Sequence, residues 1–405
     1  MTATVQESAT GRKTTLTSHV DPLPPAIVFH GGHNALSIVR SLGRRSIPIY
    51  TLNEPGADAH SSRYARPISL PADLPFAEAA TRFLTGRESD FLKGAVLLAA
   101  SDEALEVIAN HRTQLADRFR LDLSNSDAQL MMLDKLATYN AAREAGVPAP
   151  RYWEIETADD LHACRDEFVY PLIVKPKLSH LFQRKFNRKF LVADSFDEVL
   201  DAYRVTESAN IGVMLVEKIP GPDSQLGSYY TYLDEHGEPL FDFTKRIIRR
   251  YPTNMGLACY HITDHVEGVR ELTLKLCRHV KLRGLASVEF KLDKRDGQLK
   301  LIECNARFTG ANVLVAKAGF DLASFVYNRA VGLEPPQLTH FLTGLRLWDP
   351  ARDFRAYREL SRRGEMSAFG WIRSVLRPQT FPVFTWSDPK PVLASLQRRF
   401  RRRPN

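Results

Sequence analysis

The sequence predicts an α/β domain built on a parallel sheet, followed by a two-lobed α+β unit. Three observations lead there. A short apolar run near the N-terminus ends in a glycine turn and a helical pattern. A later helical stretch is stopped by Gly146 and Pro148, after which short strands and helices alternate. Two alternating runs then meet at Asp296 and Gly297 and carry acidic residues on one face.

The first element is the apolar run 26–29, followed by His30, Gly31, Gly32, His33 and Asn34. A helical pattern through Leu36, Ile38, Val39 and Leu42 comes next, and residues 47–52 read as the second strand. This is the strand, glycine turn, helix and strand that open a doubly wound domain, and it places His30 and Asn34 at the carboxyl end of a strand, where clefts form. Residues 94–100 read as a buried parallel strand, and Ser101, Asp102 and Glu103 cap a helix reaching about His111. The glycines do not spell the dinucleotide fingerprint, which disfavours a nicotinamide domain.

A new unit begins near Ser126. Its helix, residues 127–145, is stopped by the Gly-Val-Pro-Ala-Pro run 146–150. Strands at 172–174, 190–192 and 212–216 and a helix at 196–203 follow. From Ser228 onward the strands have antiparallel character, with a helix at 269–282. The segment from about Pro335 mixes Trp348, Phe354, Tyr357, Trp371 and Trp386 with prolines and arginines, and reads as an appended extension.

At 405 residues the chain needs two or three domains, and 44% hydrophobic with 25% charged residues is a globular composition. The four cysteines (Cys164, Cys259, Cys277 and Cys304) lie far apart, which excludes a zinc ribbon or disulfide scaffold and suits a reducing cytoplasm. No apolar stretch approaches membrane-spanning length, and the polar residues 1–24 read as a disordered leader without a signal core. Part of the +8 net charge sits in the arginine-rich tail 398–403. That tail is expected to be solvated, touching an anionic membrane surface weakly at most, and no nucleic-acid motif accompanies it.

The hairpin carries the strongest chemical signal. Glu303 and Asn305 are two apart and project from one face, and Glu289 comes from the partner strand. Two carboxylates and an amide oxygen suit Mg²⁺ carrying nucleotide phosphates. The register decides whether they meet. A loop of Asp296 and Gly297 alone would set Glu289 opposite Cys304. A three-residue loop, 295–297, with Gly297 at positive φ and Lys294 paired with Gln298, would set Glu289 opposite Glu303, and a bulge elsewhere would restore the shared face if the loop differs. Lys175 closes a buried strand, where an ammonium needs an anion, and Lys135 lies on the helix before the Gly146 stop. A further strand leads through Glu217 and Ile219 into a Pro-Gly turn before Asp223.

In order and spacing these motifs resemble the ATP-grasp superfamily over about residues 27–332. Lys175 to His180 and Glu303 to Phe308 look most like the D-aspartate-ligase-like carboxylate–amine ligases. The resemblance implies an ATP-grasp fold with a Rossmann-like pre-ATP-grasp domain at 25–125. It implies an ATP-grasp domain at 126–334, hinged near 216–223, and an extension at 335–405. It implies that Lys135 and Lys175 hold the phosphates of ATP, Glu217 and Ile219 frame adenine, and Asp223 takes the ribose. Glu289, Glu303 and Asn305 would hold Mg²⁺. The phosphate loop departs from the family pattern, since residues 178–189 contain no glycine. Ser179 and His180, or Arg184, Lys185 and Lys189, are expected to grip phosphate by side chains instead.

The function so implied is an ATP-dependent carboxylate–amine (or carboxylate–thiol) ligase working through an acyl phosphate and releasing ADP and phosphate. Lys175 and Arg307 are the expected catalytic residues, with Arg249, Arg250 and Arg307 as candidate holders of the substrate carboxylate. Small carboxylate and amine substrates, a cytoplasmic location and a homodimer complete the expectation. A non-catalytic ATP-binding scaffold of a polysaccharide or membrane-associated complex is the alternative. A self-contained biotin carboxylase is disfavoured, since no carrier segment is present.

Overall fold

The structure, a computed structural model, describes residues 22–401, with side chains to residue 397. Most of the expected leader and the arginine side chains of the tail lie outside the described residues. Strands β1 (Ala26–Phe29), β2 (Ile49–Leu52), β3 (Ala65–Ile68) and β4 (Val96–Ala99) form a parallel sheet in the order β3-β2-β1-β4. All of β1 is buried because helices cover both faces. Ala26 and Val28 pack with Ile38 and Val39 of the helix His33–Arg44, whereas Ile27 and Phe29 pack with Leu84 and Val107 on the other side. The turn after β1 places Gly31 at φ +95°, and a Cβ there would run into the Ala100 carbonyl. Only glycine fits that crossing.

The second sheet is antiparallel. Strands β5 (Tyr152–Glu154), β6 (Leu172–Pro176), β7 (Leu191–Ala193) and β8 (Val213–Glu217) take the order β5-β8-β6-β7. The helix Phe196–Ser208, capped by Ser195, packs Val199 and Tyr203 onto it. Between β6 and β7, the glycine-free segment forms a helix, Ser179–Phe186, where a phosphate loop was expected. Its Leu, Gln, Arg and Lys residues favour helix, Phe182 anchors it in the interior, and Asn187 ends it in the left-handed region at φ 51°.

The third sheet is the largest. Strands β9 (Leu226–Leu233), β10 (Phe243–Tyr251), β11 (Leu257–Thr263), β12 (Gly284–Asp293), β13 (Gln298–Asn305) and β14 (Arg346–Trp348) run in the order β13-β12-β9-β10-β11-β14. One face buries Tyr229, Val288, Phe290 and Leu301 against the helices Val269–His279 and Lys135–Glu144. The opposite face packs Tyr230, Tyr232, Phe243 and Leu285 into the core of the parallel-sheet domain and turns Ser228, Lys245 and Glu289 toward a cleft. Residues beyond 334 supply β14, which pairs with β11, and a helix, Pro350–Arg362, opened by the Asp349 cap.

The β12–β13 hairpin differs from its expected register. Asp293, not Lys294, pairs with Gln298, so the loop has four residues, 294–297, closed by Gly297 N–H donating to the Asp293 carbonyl at 2.8 Å. Gly297 has the expected positive φ, 73°. That loop alone would put Glu289 opposite Ile302 and Glu303 on the far face. A bulge intervenes: Phe290 pairs with Leu301, and Glu289 then pairs with Glu303, so Ile302 is the extra residue. The two carboxylates face the same side.

Candidate functional site

A cavity of about 690 Å³ opens between the β12–β13 face, the helix Ser179–Phe186 and the carboxyl ends of β1 and β4. Lys135 enters it from the first turn of its helix, which Asp134 caps by accepting from Ala137 N–H at 2.9 Å. The Lys135 Nζ lies 2.9 Å from Glu303 Oε1. Burial works against both charges. It is overcome at Lys135 by Glu303 and Asp102, which hold the ammonium above its ordinary value. At Glu303 it is overcome by Lys135, Lys189 and Lys175, which hold the carboxyl well below its usual range.

Lys175 has no such partner. It lies next to the end of β6, and its Nζ donates to Tyr139 Oη and to the Ile302 carbonyl, each at 3.0 Å, with the ammonium 4.6 Å from the Tyr139 ring centre. Among the described residues no carboxylate lies within ion-pair distance of it. Burial, with Lys135 adding to it, pushes its pKa down to about 8. Tyr139 was missed by the sequence reading, although it lies one helical turn beyond Lys135 and therefore on the same face.

Glu289, Glu303 and Asn305 line the cavity together. Ser179, His180, Gln183 and Arg184 face them from the helix that replaces the loop, joined by Lys189. His180 Nε2 lies 2.9 Å from Glu106, and Arg184 pairs with Glu103, so this helix is tied to the parallel-sheet domain. Lys185 is exposed and does not line the cavity. His30 and Asn34 do, and His30 Nδ1 sits 2.7 Å from Ser101 Oγ. Arg307 also borders the cavity, but its Nε is fixed by Asp102 at 2.5 Å.

Other expected residues are placed differently. Asp223, assigned to ribose, is buried and committed: it accepts from Arg250 Nε at 2.8 Å, from Arg250 N–H at 3.0 Å and from Asn254 N–H at 3.3 Å. Glu217 is paired with Arg295 at 2.6 Å, and the Ile219 carbonyl accepts from Lys291 Nζ at 2.9 Å. None of the three lines the cavity. Arg249, a candidate holder of the substrate carboxylate, is committed as well. It is buried and bound through Nε at 2.6 Å and Nη2 at 2.9 Å to Asp353, of the helix Pro350–Arg362. Arg250 stays at the cleft.

A second cavity, about 470 Å³, adjoins the first and shares Glu289, Glu303 and Asn305 as its border. Lys245 and His261 line it, together with Asp349 and Arg352 from the segment read as an extension. The sequence reading singled out none of these four, because strand pairing alone brings them beside the carboxylates.

The family model of the carbamoyl-phosphate synthase L chain ATP-binding domain matches residues 261–337, the span that contains Glu289, Glu303, Asn305 and Arg307. The D-aspartate ligase of Enterococcus faecium (strain Aus0004) is 25% identical over 310 residues, covering 71% of this chain and 73% of that one. Among solved structures, the ADP complex of an N5-carboxyaminoimidazole ribonucleotide synthetase aligns with a TM-score of 0.61 at 14% identity, covering 80% of this chain and 81% of that one. An L-amino acid ligase from Bacillus licheniformis aligns with a TM-score of 0.58 at 18% identity, covering 78% and 76%.

Proposed function

The chain has the ATP-grasp fold and belongs to that superfamily, and from that premise we propose that it is an ATP-dependent ligase joining a small carboxylate to an amine. A thiol acceptor would fit the same chemistry. The observation that carries this reading is the Lys175 ammonium, half-buried without a carboxylate partner among the described residues and facing the cleft that Glu289, Glu303 and Asn305 line. An unpaired charge partly withdrawn from water is costly, and a phosphate oxygen would relieve it.

The donor set also fits Mg²⁺. Two carboxylates and an amide oxygen share one sheet face, and no cluster of three His, Cys, Asp or Glu side chains among the described residues forms a metal cage by itself. Mg²⁺ characteristically takes one or two carboxylates and fills its remaining sites with phosphate oxygens and water. Bound there, the metal would neutralise charge on the phosphates. The chain's own groups divide the remaining work. Lys135 holds Glu303 in place, Lys175 grips phosphate, and Ser179, His180 and Lys189 close over it from the helix and the strand approach beyond. Arg307, steadied by Asp102, sits beside the reacting carboxylate. The adenine side stays assigned, by the family resemblance, to the backbone at the end of β8 between Glu217 and Ile219, beyond the cavity described above. The ribose role expected of Asp223 is not kept, because its carboxylate is already bonded.

In this reading a substrate carboxylate oxygen attacks the γ-phosphorus as the bond to ADP breaks. The amine nitrogen then attacks the acyl carbon, phosphate leaves with the former carboxylate oxygen, and the amine loses its extra proton. Positioning and charge neutralisation supply the rate. Screening amino acids and small carboxylates in pairs for ADP and phosphate release tests this. The expected result is release that needs both substrates and is lost in Lys175→Met. ATP binding with no release from any pair would overturn the proposal and favour a scaffold.

A further inference from the structure

We infer that the 470 Å³ cavity receives a second anionic group of the carboxylate substrate, a carboxylate or a phosphate, and that Lys245 is its counter-charge. The inference rests on the ligase reading above.

A single row of paired residues crosses the large sheet. Glu303 pairs with Glu289, Glu289 with Ser228, and Ser228 with Lys245. Directly opposite residues share a face. With strands about 4.8 Å apart, Lys245 therefore stands roughly 10 Å along that face from Glu289. The Lys245 side chain is buried, 3% exposed. Its Nζ donates to Ser228 Oγ at 3.0 Å and lies 5.6 Å from the Tyr230 ring centre. Among the described residues no carboxylate pairs with it. A hydroxyl and a ring face do not compensate an ammonium taken out of water.

The neighbours point the same way. His261, on the adjacent strand, is 9% exposed, and its buried Nδ1 has no hydrogen-bond partner. Burial keeps that ring neutral, with Lys245 adding to the effect, so it can meet a ligand oxygen or hydroxyl without adding charge. Arg352 faces the same cavity from the first turn of its helix, its Nη1 3.4 Å from the capping Asp349. The nucleotide side of the site already has its own cations, Lys135 and Lys175, on the far side of Glu303. Lys245 is thus placed for the substrate, with the reacting carboxylate at the Glu289–Glu303 border and the second anion two strands away.

The test uses the full chain saturated with Mg²⁺ and β,γ-methylene-ATP, and calorimetric titration with three acids. Glutarate and 3-phosphonopropionate each carry a second anion, of carboxylate or phosphonate type, and butyrate carries none. At least one of the two should bind about tenfold or more tightly than butyrate, as expected for a charge-assisted contact. The stronger of the two identifies the anion type. Lys245→Met should remove that advantage while leaving the melting temperature unchanged or raised, a response that a merely structural lysine would not give. Lys245→Gln serves as the second variant if the first fails to fold. The inference is overturned by no advantage over butyrate, by an advantage that survives in the variants, or by an equal loss of nucleotide-analogue affinity. Failure of the ligase reading looks different: no acid elicits ADP release with ATP, yet Lys245-dependent anion binding persists.

Discussion

Replacing Asp353 with alanine perturbs the join between the C-terminal segment and the large sheet, and its cost can be worked from the contacts. The Asp353 carboxylate is fully buried and accepts from Arg249 Nε and Nη2, from Trp348 Nε1 at 2.9 Å and from Trp371 Nε1 at 2.9 Å. Alanine strands a guanidinium in the interior, which costs about 3–5 kcal/mol. Each orphaned indole N–H adds about 1 kcal/mol or more if water cannot reach it. A loss of at least about 4 kcal/mol follows, seen in scanning calorimetry as a fall of roughly 5–10 °C. Because Leu347, Asp349 and Arg352 wall the smaller cavity, the substrate KM should rise as well. Changing both partners, Arg249→Met with Asp353→Leu, should recover most of the stability, since an apolar pair strands no charge. A cost below about 1 kcal/mol, with Arg249→Met abolishing turnover in a fully stable protein, would refute this reasoning and return Arg249 to the substrate.

Two further expectations concern the cleft. Glu303→Gln should lower turnover by at least about 100-fold at saturating Mg²⁺ and also lower the melting temperature, since Lys135 loses its counter-charge; wild-type rates across a Mg²⁺ titration would contradict this. The pH dependence turns on Lys175, whose pKa falls from 10.5 in the unfolded chain to about 8 in the fold. Because the folded value is the lower one, the destabilisation is fully present below about pH 8 and is relieved as pH rises toward 10.5. Phosphate prefers the charged amine, so metal-free ATP affinity should weaken above about pH 8, and Lys175→Met should show no such inflection. A flat profile in the wild-type protein would count against phosphate contact.

Local chemistry was the legible part. The glycine turn after β1, the stop at Gly146, the buried strand ending in Lys175 and the hairpin at Gly297 all follow from short-range backbone and burial rules. The hairpin register did not, because loop length and a bulge at Ile302 both change the face and each cancels the other. Residues 178–189 were read as a loop because the family resemblance outweighed their own helix-forming composition. Arg249 looked like a substrate ligand because its partner, Asp353, lies 104 residues away and only the folded sheet brings them together. Lys245 and His261 were invisible for a similar reason: a lysine or histidine in an alternating strand carries no sign of which cations lack anions.

Hydroxylamine trapping tests the acyl phosphate most directly. The full chain is given Mg²⁺, ATP, the carboxylate that best stimulates ADP release, and hydroxylamine in place of the amine. The structure predicts an acyl hydroxamate formed in a one-to-one ratio with ADP, and none from Lys175→Met or Glu303→Gln. ADP released without hydroxamate, or hydroxamate accompanied by AMP and pyrophosphate, would contradict the account.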